Sequence, residues 1–406
     1  MSPLFAPREY RLAPQWSAAT GCISEWNVLR PRMEFINPDQ LVAVPQRSGG
    51  GKTGVSTETL AATLTSSTPI HLLKSEVVLH EVAARWCERH RAWHGPGHHL
   101  RMLHELASES AEADRDALVL AAVYHDAIYD PRASDNESKS AALLLAHAKD
   151  PRSSSVTKAA ELIEALKWSE RPQSSIAKRF FELDSWQLRD DCPLHERLAY
   201  ERAIFREYQW ANWTTYREKR AEFLREWAEK FPEHRRGVAE CLELLTALNP
   251  RLAVYPGSFN PFHRGHLSIL RQAEAIFDKV IIAIGVNRQK SDASTSVNTR
   301  WAEVAHRLRF HEVAFFDGLL TRFVEGMELP TTIVRGVRDG TDLEAELRFV
   351  RFLNELRFDT RVVWMSCEAD FQHLSSSAIR ELEAIEPGAG QRYIPDPAEI
   401  YGLVPD

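Results

Sequence analysis

Two histidines lie three residues apart in a stretch rich in Gly and Pro, 255–266 (YPGSFNPFHRGH). The apolar run before this stretch predicts a buried strand that ends at Tyr255, and the pattern after it predicts a helix that begins near Gly265. Helix N-termini attract phosphate through free N–H groups and the helix dipole, and glycine removes a side chain where phosphate must come close. His263 and His266 would then donate hydrogen bonds to charge developing on a phosphoryl group. The alternative is that both histidines merely cap the helix.

Histidine and aspartate also recur in three upstream stretches, HGPGH at 94–98, YHDAIYD at 124–130 and FFELDSWQL at 180–188. The surrounding pattern places His94 in a loop and His98 at the start of a helix. His125 and Asp126 stand side by side near the end of an apolar helix, and Asp184 follows much later. Imidazole and carboxylate together suit a divalent or di-metal centre that makes hydroxide from water. Any one of these residues alone is usually an ordinary helix residue or cap.

The elements that must position these residues fall into three segments of the 406-residue chain. Residues 1–70 end in a stretch rich in Gly, Ser and Thr, which suggests a flexible arm or linker. Residues 71–248 have apolar residues at three-and-four spacing, which predicts an all-α domain. Over 250–406 short β-rich runs alternate with helical patterns, which predicts a parallel sheet covered on both faces. We therefore expect a multidomain protein, all-α and then α/β.

Composition narrows the class of protein. The net charge of -7 argues against a general nucleic-acid binder. The five cysteines are scattered, with no CxxC pair, so they form neither a disulfide framework nor a thiolate zinc site, and they fit a reducing cytoplasm. We expect no signal peptide, and the longest apolar runs are too short to span a bilayer. The expectation is a cytoplasmic protein without membrane partners.

The segment from about residue 251 onward resembles phosphopantetheine adenylyltransferase, an enzyme family of coenzyme A biosynthesis. Four motifs in order carry the resemblance: YPGSFNPFHRGH, VIIAIGVNRQK ending at Lys290, RGVRDGTDLEAE at 335–346 and HLSSSAIREL at 373–382. It implies a Rossmann-like fold and attack by a phosphate on the α-phosphorus of ATP, with pyrophosphate leaving. It also implies Mg²⁺ bridging the phosphates. Catalysis would be mostly positioning and charge stabilisation.

The resemblance also implies roles for individual residues. Ser258, His266 and Arg338 would contact the phosphates of ATP. Lys290 would orient the attacking phosphate, and Arg335 would lie on the phosphopantetheine side. The remaining implied members of the substrate pocket are Phe259, Gly336, Glu346, Ser375, Ser376 and Ser377.

Two departures from the family pattern leave the acceptor open. Asn260 replaces the usual aspartate, and His263 stands where threonine is usual, which gives the HxGH form of the wider nucleotidyltransferase superfamily. A nicotinate or nicotinamide mononucleotide is therefore the alternative acceptor to 4′-phosphopantetheine. Without the resemblance, Lys290 would be a solvated loop lysine, and Arg335 and Arg338 would form surface ion pairs with nearby carboxylates.

The helical segment resembles the HD superfamily of metal-dependent phosphohydrolases over about 85–235. The resemblance rests on WHGPGH at 93–98, HDAIYDPRASDNESKSA at 125–141 and AIFREY at 203–208. It implies His94 as a proton donor to the leaving oxygen and places Asn136 and Glu137 near the site. The ligands that it implies for a divalent metal (Mn, Fe, Ni, Zn or Mg) are His98, His125, Asp126 and Asp184.

The helical segment also departs from the motifs of the superfamily that it resembles. Gly95 replaces the asparagine of the related motif, and Lys167 and Trp168 stand where a histidine is usual. A one-metal site or a non-catalytic binding or assembly module is therefore the alternative to an active hydrolase. The whole chain is expected to be a bifunctional enzyme with small-molecule substrates, ATP and a phosphorylated acceptor. It is also expected to form homo-oligomers, as the resembled transferases commonly do.

Overall fold

The structure, a computed structural model, describes residues 56–107, 114–167, 171–285, 297–356 and 361–405. Two residues that the sequence singled out, Lys290 and Trp168, lie outside the described residues, as do residues 1–55 of the predicted arm. Within the described ranges, no helix is both long and apolar enough to cross a membrane.

The first half of the described chain is helical, as predicted. Its helices are α1 (Thr57–Ser67), α2 (Val77–Trp86), α3 (Pro96–Ala107), α4 (Arg115–Tyr124), α5 (Asn136–His147), α6 (Ser154–Glu164), α7 (Ser175–Asp184), α8 (Leu194–Glu207), α9 (Trp213–Lys230) and α10 (Arg235–Ala247). Short 3-10 helices cover Ile70–Leu72, Ala165–Lys167, Trp186–Leu188 and Pro232–His234. Helix α4 is buried from residue 117 to 124, because the run ALVLAAVY is apolar on every face. It carries the next residue, His125, into the interior.

Helix α1 occupies part of the segment that the sequence predicted to be a flexible linker. The side chain of Ser56 caps it by accepting a hydrogen bond from the backbone N–H of Thr59, at 3.2 Å. Leu60, Ala61 and Leu64 lie on one face of the helix and are buried in the helical core. The linker prediction is therefore wrong for residues 57–67, because the Gly, Ser and Thr content concealed a short apolar stripe.

The second half alternates strands and helices. Its strands are β1 (Leu252–Gly257), β2 (Lys279–Gly285), β3 (Val313–Phe316), β4 (Thr331–Val337) and β5 (Arg361–Ser366). Its helices are α11 (Arg264–Glu274), α12 (Val297–Arg307), α13 (Leu320–Glu325), α14 (Gly340–Leu356), α15 (Ser376–Ile385) and α16 (Pro397–Tyr401), with 3-10 helices at Ala369–Phe371 and Gln391–Tyr393. Among the described residues the strands form one parallel sheet in the order β3-β2-β1-β4-β5. The prediction of a parallel sheet is confirmed, and the order is consistent with a Rossmann-like fold.

The helical half packs against the amino ends of the strands. Lys279 is the first residue of β2, its exposed fraction is 1%, and its ammonium group donates hydrogen bonds to the carbonyl of Gln209 and, at 2.8 Å, to that of Ala211. The same ammonium pairs with the Glu312 carboxylate at 3.0 Å. Glu312 immediately precedes β3, and its backbone N–H donates to Gln209 at 3.0 Å. The carboxyl ends of the strands therefore lie at the opposite edge of the sheet.

The end of the chain also packs on the helical half. The carbonyl of Tyr401 accepts a hydrogen bond from the backbone N–H of Arg89 at 2.7 Å. The backbone N–H of Val404 donates to Glu88 at 3.2 Å, and Arg85 donates to the carbonyl of Pro405 at 3.0 Å. These contacts fix the last described residues against α2 and the turn that follows it.

Candidate active sites

The first site lies where the strand order changes direction. From β1 the chain moves outward to β2 and β3 on one side, and it later fills β4 and β5 on the other side. In open parallel sheets, ligands bind beyond the carboxyl ends of the strands at such a point. Here Ser258 follows β1 and Arg338 follows β4. Ser258 is exposed at this edge.

The two histidines of the HRGH motif stand at the start of α11. Their rings stack with centroids 3.7 Å apart, and the backbone N–H of His263 donates to Nδ1 of His266 at 3.2 Å. Because Nδ1 of His266 accepts, its ring hydrogen must be on Nε2, which remains a donor. Gly265 permits this arrangement, since a Cβ there would lie 3.1 Å from the His263 ring. The capping contact and a donor role therefore coexist.

Both imidazoles are held in the neutral form. Burial, together with the positive charge of Arg338, lowers the pKa of His263 to about 4. Burial, the neighbouring His263 and Arg338 also lower the pKa of His266 well below its usual value. Neutral imidazoles can donate hydrogen bonds to a phosphoryl group without acting as fixed cations.

A second helix N-terminus faces the same loop. Ser375 caps α15, where its hydroxyl accepts from the backbone N–H of Ala378 at 3.1 Å. The hydroxyl of Ser376 donates to the carbonyl of Pro261 at 3.0 Å, which places this helix start beside the loop after β1. Ser377 is exposed at the same helix end. The start of α15 therefore lies beside the loop that leads into α11, and each of these helix starts carries a positive dipole end.

The two arginines after β4 are held by carboxylates. Arg338 contacts Asp342 through Nε at 2.7 Å and Nη2 at 2.9 Å, which is one of the ion pairs expected without the family resemblance. Arg335 contacts Glu346 through Nε at 2.7 Å. Glu346, predicted to shape the ATP pocket, thus fixes Arg335. These pairs orient both guanidinium groups at the carboxyl end of β4.

Two predicted pocket residues have packing roles. Phe259 has a positive φ of 43° and an exposed fraction of 2%, and its ring lies against Gly257, where a Cβ would come within 2.7 Å. Gly336 lets α11 approach β4, since a Cβ there would lie 2.9 Å from Ile269. Both residues therefore support the loop and helix that carry the histidines. The predicted Lys290 lies outside the described residues, so the structure does not place it.

Known proteins match this half of the chain. A family model for cytidylyltransferase-like domains matches residues 254–382. Phosphopantetheine adenylyltransferase from Clostridium beijerinckii is 38% identical over 160 residues, which are 38% of this chain and 92% of that protein. The enzyme of the same name from Mycoplasma mycoides subsp. mycoides is 34% identical over 136 residues, 33% of this chain and 96% of that protein.

The chain belongs to the phosphopantetheine adenylyltransferase family. The resemblance predicted for residues from about 251 onward is thereby confirmed, and this half is called the adenylyltransferase domain below. Among solved structures, the lipopolysaccharide core biosynthesis protein from Thermoplasma volcanium is 20% identical over 29% of this chain and 98% of its own, with a TM-score of 0.24. That score is too low to support an argument.

The helical half, which precedes the adenylyltransferase domain, brings three of the four predicted metal ligands together, and the fourth, Asp126, lies outside this group but beside His125. Helices α3, α4 and α7 deliver His98, His125 and Asp184, whose ligand atoms all lie within 4.8 Å of one another. Nε2 of His98 is 3.1 Å from Nε2 of His125 and 3.2 Å from Oδ1 of Asp184, and Nε2 of His125 is 3.0 Å from Oδ2 of Asp126. Ligands about 2.1 Å from one ion lie about 3.0–3.4 Å apart. The donor atoms therefore fit a single divalent ion.

The charges at this cluster favour a cation. Burial opposes the charged form of His125, but the carboxylates of Asp126 and Asp184 outweigh it and raise its pKa to about 10. Burial likewise acts to raise the pKa of Asp184, yet hydrogen bonds from His125 and His98 lower it to about 2. Even with His125 protonated, the carboxylates of Asp126 and Asp184 leave one net negative charge at the cluster. A metal would displace that proton, so binding should strengthen as pH rises.

His94, the predicted proton donor, is held by a residue that the sequence analysis did not single out. Its Nδ1 lies 2.6 Å from Oε2 of Glu207, and its ring stacks on Tyr129 with centroids 4.3 Å apart. Burial opposes its charged form, but the Glu207 carboxylate outweighs this and raises the pKa of His94. The only sequence signal for Glu207 was its place in the AIFREY motif, to which no role was attached.

Other residues of the predicted hydrolase motifs stabilise loops. The Asn136 side chain accepts from the backbone N–H of Asp130 at 3.0 Å and donates to its carbonyl at 2.9 Å, so it closes the 130–136 loop. The Asp130 carboxylate pairs with Arg309 of the adenylyltransferase domain. Glu137 lies in the first turn of α5. Lys167, at the position where a histidine is usual, donates to Ser138 at 2.8 Å.

Proposed function

We propose that the adenylyltransferase domain transfers the adenylyl group of ATP to 4′-phosphopantetheine, giving dephospho-CoA and pyrophosphate. Family membership supports nucleotidyl transfer in coenzyme A biosynthesis. The observation that carries the proposal is the pair of neutral histidines at the start of α11, with the start of α15 beside the same loop.

These residues can act without a covalent intermediate. Backbone N–H groups at both helix starts bind phosphate oxygens, and Nε2–H of His266 donates to charge that grows on the phosphoryl group. Arg338 adds positive charge, and Lys290 would orient the incoming phosphate. Mg²⁺ arriving with ATP would offset the negative charge of the phosphates. The domain thus works by positioning its two substrates.

A surface pocket lies after β3, at the carboxyl edge of the sheet. It has a volume of about 450 Å³, follows β3, and is lined by residues that include Phe315, Leu319 and Phe323. Two strand spacings separate β3 from β1, a distance of about 10 Å. Asp317 and Arg322 also line this pocket, and an acceptor with a long arm, such as phosphopantetheine, would span the distance to it from a phosphate at the histidines.

An acceptor screen at fixed ATP tests the assignment. Pyrophosphate release is measured with 4′-phosphopantetheine, nicotinate mononucleotide and nicotinamide mononucleotide, each with and without Mg²⁺. We expect Mg²⁺-dependent release with 4′-phosphopantetheine and formation of dephospho-CoA. Release only with a mononucleotide would transfer the assignment to the alternative acceptor. No release with any of the three from a folded protein would refute it.

We propose a second activity, metal-dependent phosphoester hydrolysis, for the helical half. The His98–His125–Asp184 cluster supports it, with Asp126 adjacent. A divalent ion held there would lower the pKa of a water molecule and polarise a phosphoryl group. His94 is more exposed than the two buried histidines, its ring centroid lies 6.2 Å from that of His98, and it would protonate the leaving oxygen. The competing possibility is a binding or assembly module without catalysis.

Metal content and hydrolysis separate these possibilities. Protein purified without chelator is analysed for Mn, Fe, Ni, Zn and Mg, and generic phosphoesters are then offered with each metal. Asp184→Ala should abolish both metal content and hydrolysis. Asp191→Ala is the matched control, because its carboxylate is exposed and pairs only with Arg189 among the described contacts. Metal binding without hydrolysis of any phosphoester would favour the module.

We further propose that the protein forms homo-oligomers in the cytoplasm. Helix α14 exposes Leu343, Leu347 and Phe352, and the edge strand β5 exposes Trp364. Such an apolar face is typical of a surface covered by another subunit. The four described cysteines are unpaired, which suits a reducing compartment. Light scattering at several protein concentrations gives the mass, and a monomer at all of them would refute this proposal.

A further inference from the structure

Glu207 has an unusually complete set of hydrogen bonds for a carboxylate. Its side chain is fully buried, and Oε1 accepts from the backbone N–H groups of Ala92, Trp93 and His94 at 2.8, 2.7 and 2.8 Å. Oε2 accepts from the Tyr129 hydroxyl at 2.8 Å and from Nδ1 of His94 at 2.6 Å. The two oxygens thus have different partners: Oε1 fixes a loop, and Oε2 fixes a ring.

The location of this carboxylate is not explained by helix stability. Glu207 is the last residue of α8, where the helix dipole is negative and a carboxylate is unfavourable. Burial of a charge is also costly unless hydrogen bonds satisfy it. The contacts to the 92–94 loop and to His94 offset both costs. The position of Glu207 is therefore explained by its hydrogen bonds to the 92–94 loop and to the His94 ring, although a carboxylate at this point destabilises the end of α8.

The residues after Glu207 are anchored by the adenylyltransferase domain. The carbonyl of Gln209 accepts from Lys279 and from the backbone N–H of Glu312, and the carbonyl of Ala211 accepts from Lys279 at 2.8 Å. Because Glu207 ends α8, movement of the turn that follows it would also move its carboxylate. Docking of the two halves therefore holds the carboxylate that holds His94.

We propose that Glu207 is the positioning residue for the catalytic histidine of the helical half. It keeps the hydrogen of His94 on Nδ1 and leaves Nε2 to act on the leaving oxygen. This inference rests on the proposed phosphohydrolase function. An ionised carboxylate only accepts hydrogen bonds, so the facing ring nitrogen must carry the hydrogen. Tyr129, stacked on the ring and bonded to the same carboxylate, limits rotation of the imidazole.

The chemical step that this orientation serves is balanced. As the bond between phosphorus and the leaving oxygen breaks, its electron pair stays on that oxygen, which takes the proton from Nε2 of the His94 imidazolium and leaves a neutral ring with its hydrogen on Nδ1. Water forms the new bond to phosphorus and releases one proton, which returns to Nε2 and restores the imidazolium. Glu207 touches neither reactant, and it stays ionised throughout.

The variant Glu207→Gln separates the two roles of the carboxylate. The amide keeps an oxygen for the three backbone N–H groups, but it places an NH2 donor against Nδ1–H of His94 and the Tyr129 hydroxyl. The His94 ring must then change tautomer or turn. Full-length Zn-loaded protein is compared with this variant by NMR of the imidazole nitrogens, by metal content and by kinetics on a generic phosphoester.

We expect the His94 hydrogen to leave Nδ1 in Glu207→Gln while metal content is unchanged. We expect kcat to fall by roughly 10²–10⁴-fold with little change in KM, the size expected for a wrong tautomer. In a His94→Ala background the same change should have no further effect. Glu201→Gln is the control: this buried glutamate of α8 bonds Arg220 instead, and its loss should lower Tm without altering the tautomer.

A failure of the positioning role can be distinguished from a failure of the proposed hydrolase function. Retention of hydrogen on Nδ1 in Glu207→Gln, or an unchanged kcat, overturns the positioning role. If the wild-type protein hydrolyses nothing, the hydrolase proposal fails while the NMR comparison still decides whether Glu207 sets the tautomer. Adenylyl transfer, measured on the same samples, should be equal in both proteins.

Discussion

Lys279 offers a direct test of how the two halves are joined. Its ammonium is buried and touches the carbonyls of Gln209 and Ala211 and the carboxylate of Glu312. Lys279→Met keeps most of the stem volume but removes the charge and all three contacts. Leaving a buried acceptor unpaired costs about 1–3 kcal/mol, and breaking one side of a buried pair costs about 3–5 kcal/mol. Glu312 is partly exposed and can be rehydrated, so the lower end, about 3 kcal/mol, is expected.

This loss of free energy should weaken the contact between the two halves, while the sheet itself should remain folded. About 3 kcal/mol corresponds to roughly a 10²-fold larger population in which the halves are separated. Hydrogen exchange should therefore speed up in the segment after α8, and calorimetry should show the transitions of the two halves further apart than in the wild type. Adenylyl transfer should persist, because β2 has seven residues and its carboxyl end lies about 20 Å away.

The matched control is Lys219→Met, which removes an exposed lysine paired with Glu222 on α9. It should change neither exchange nor the calorimetric trace, because exposed pairs contribute little. Unchanged exchange at 207–211 in Lys279→Met, with an unfolding free energy equal to that of the wild type, would refute the idea that this ammonium joins the halves.

Three further predictions concern the adenylyltransferase domain. His266→Ala should lower kcat/KM for pyrophosphate release about 10²–10³-fold through loss of one phosphoryl donor, whereas the exposed His306→Ala should not. Gly265→Ala, whose Cβ would lie 3.1 Å from the His263 ring, should lower the same rate, whereas Gly340→Ala, with nothing within 4 Å, should leave it unchanged. His263 has its pKa lowered to about 4, so the folded state binds fewer protons than the unfolded state between about pH 6.5 and pH 4. The free energy of unfolding should therefore fall by up to about 3 kcal/mol as pH falls through this window, and urea titrations should show a larger fall between pH 7 and pH 4 for the wild type than for His263→Asn.

Local patterns in the sequence predicted the elements that carry the chemistry. The apolar run 117–124 predicted the buried helix that delivers His125, and the strand before YPGSFNPFHRGH predicted the position of His263 and His266. Parallel strands gather their carboxyl ends at one edge, so the meeting of these histidines with Arg338 followed from strand order.

Contacts between distant residues could not be predicted in this way. Glu207 and His94 are 113 residues apart, and nothing in either local pattern relates them. Lys279 begins an ordinary apolar strand, and its burial depends on a turn that belongs to the other half. The sequence pattern did not predict helix α1 for a different reason. Its three buried residues stand among Thr and Ser residues, so the apolar spacing is weak. In such a segment, tertiary packing determines whether a helix forms, even where the composition suggests a linker.

The helical half is attached at the amino edge of the sheet, and this affects how far it lies from the candidate adenylyltransferase site. Among the described residues, a full strand length separates the candidate adenylyltransferase site from the contact with the helical half. What the fusion guarantees is equal abundance of the two halves wherever the chain is made.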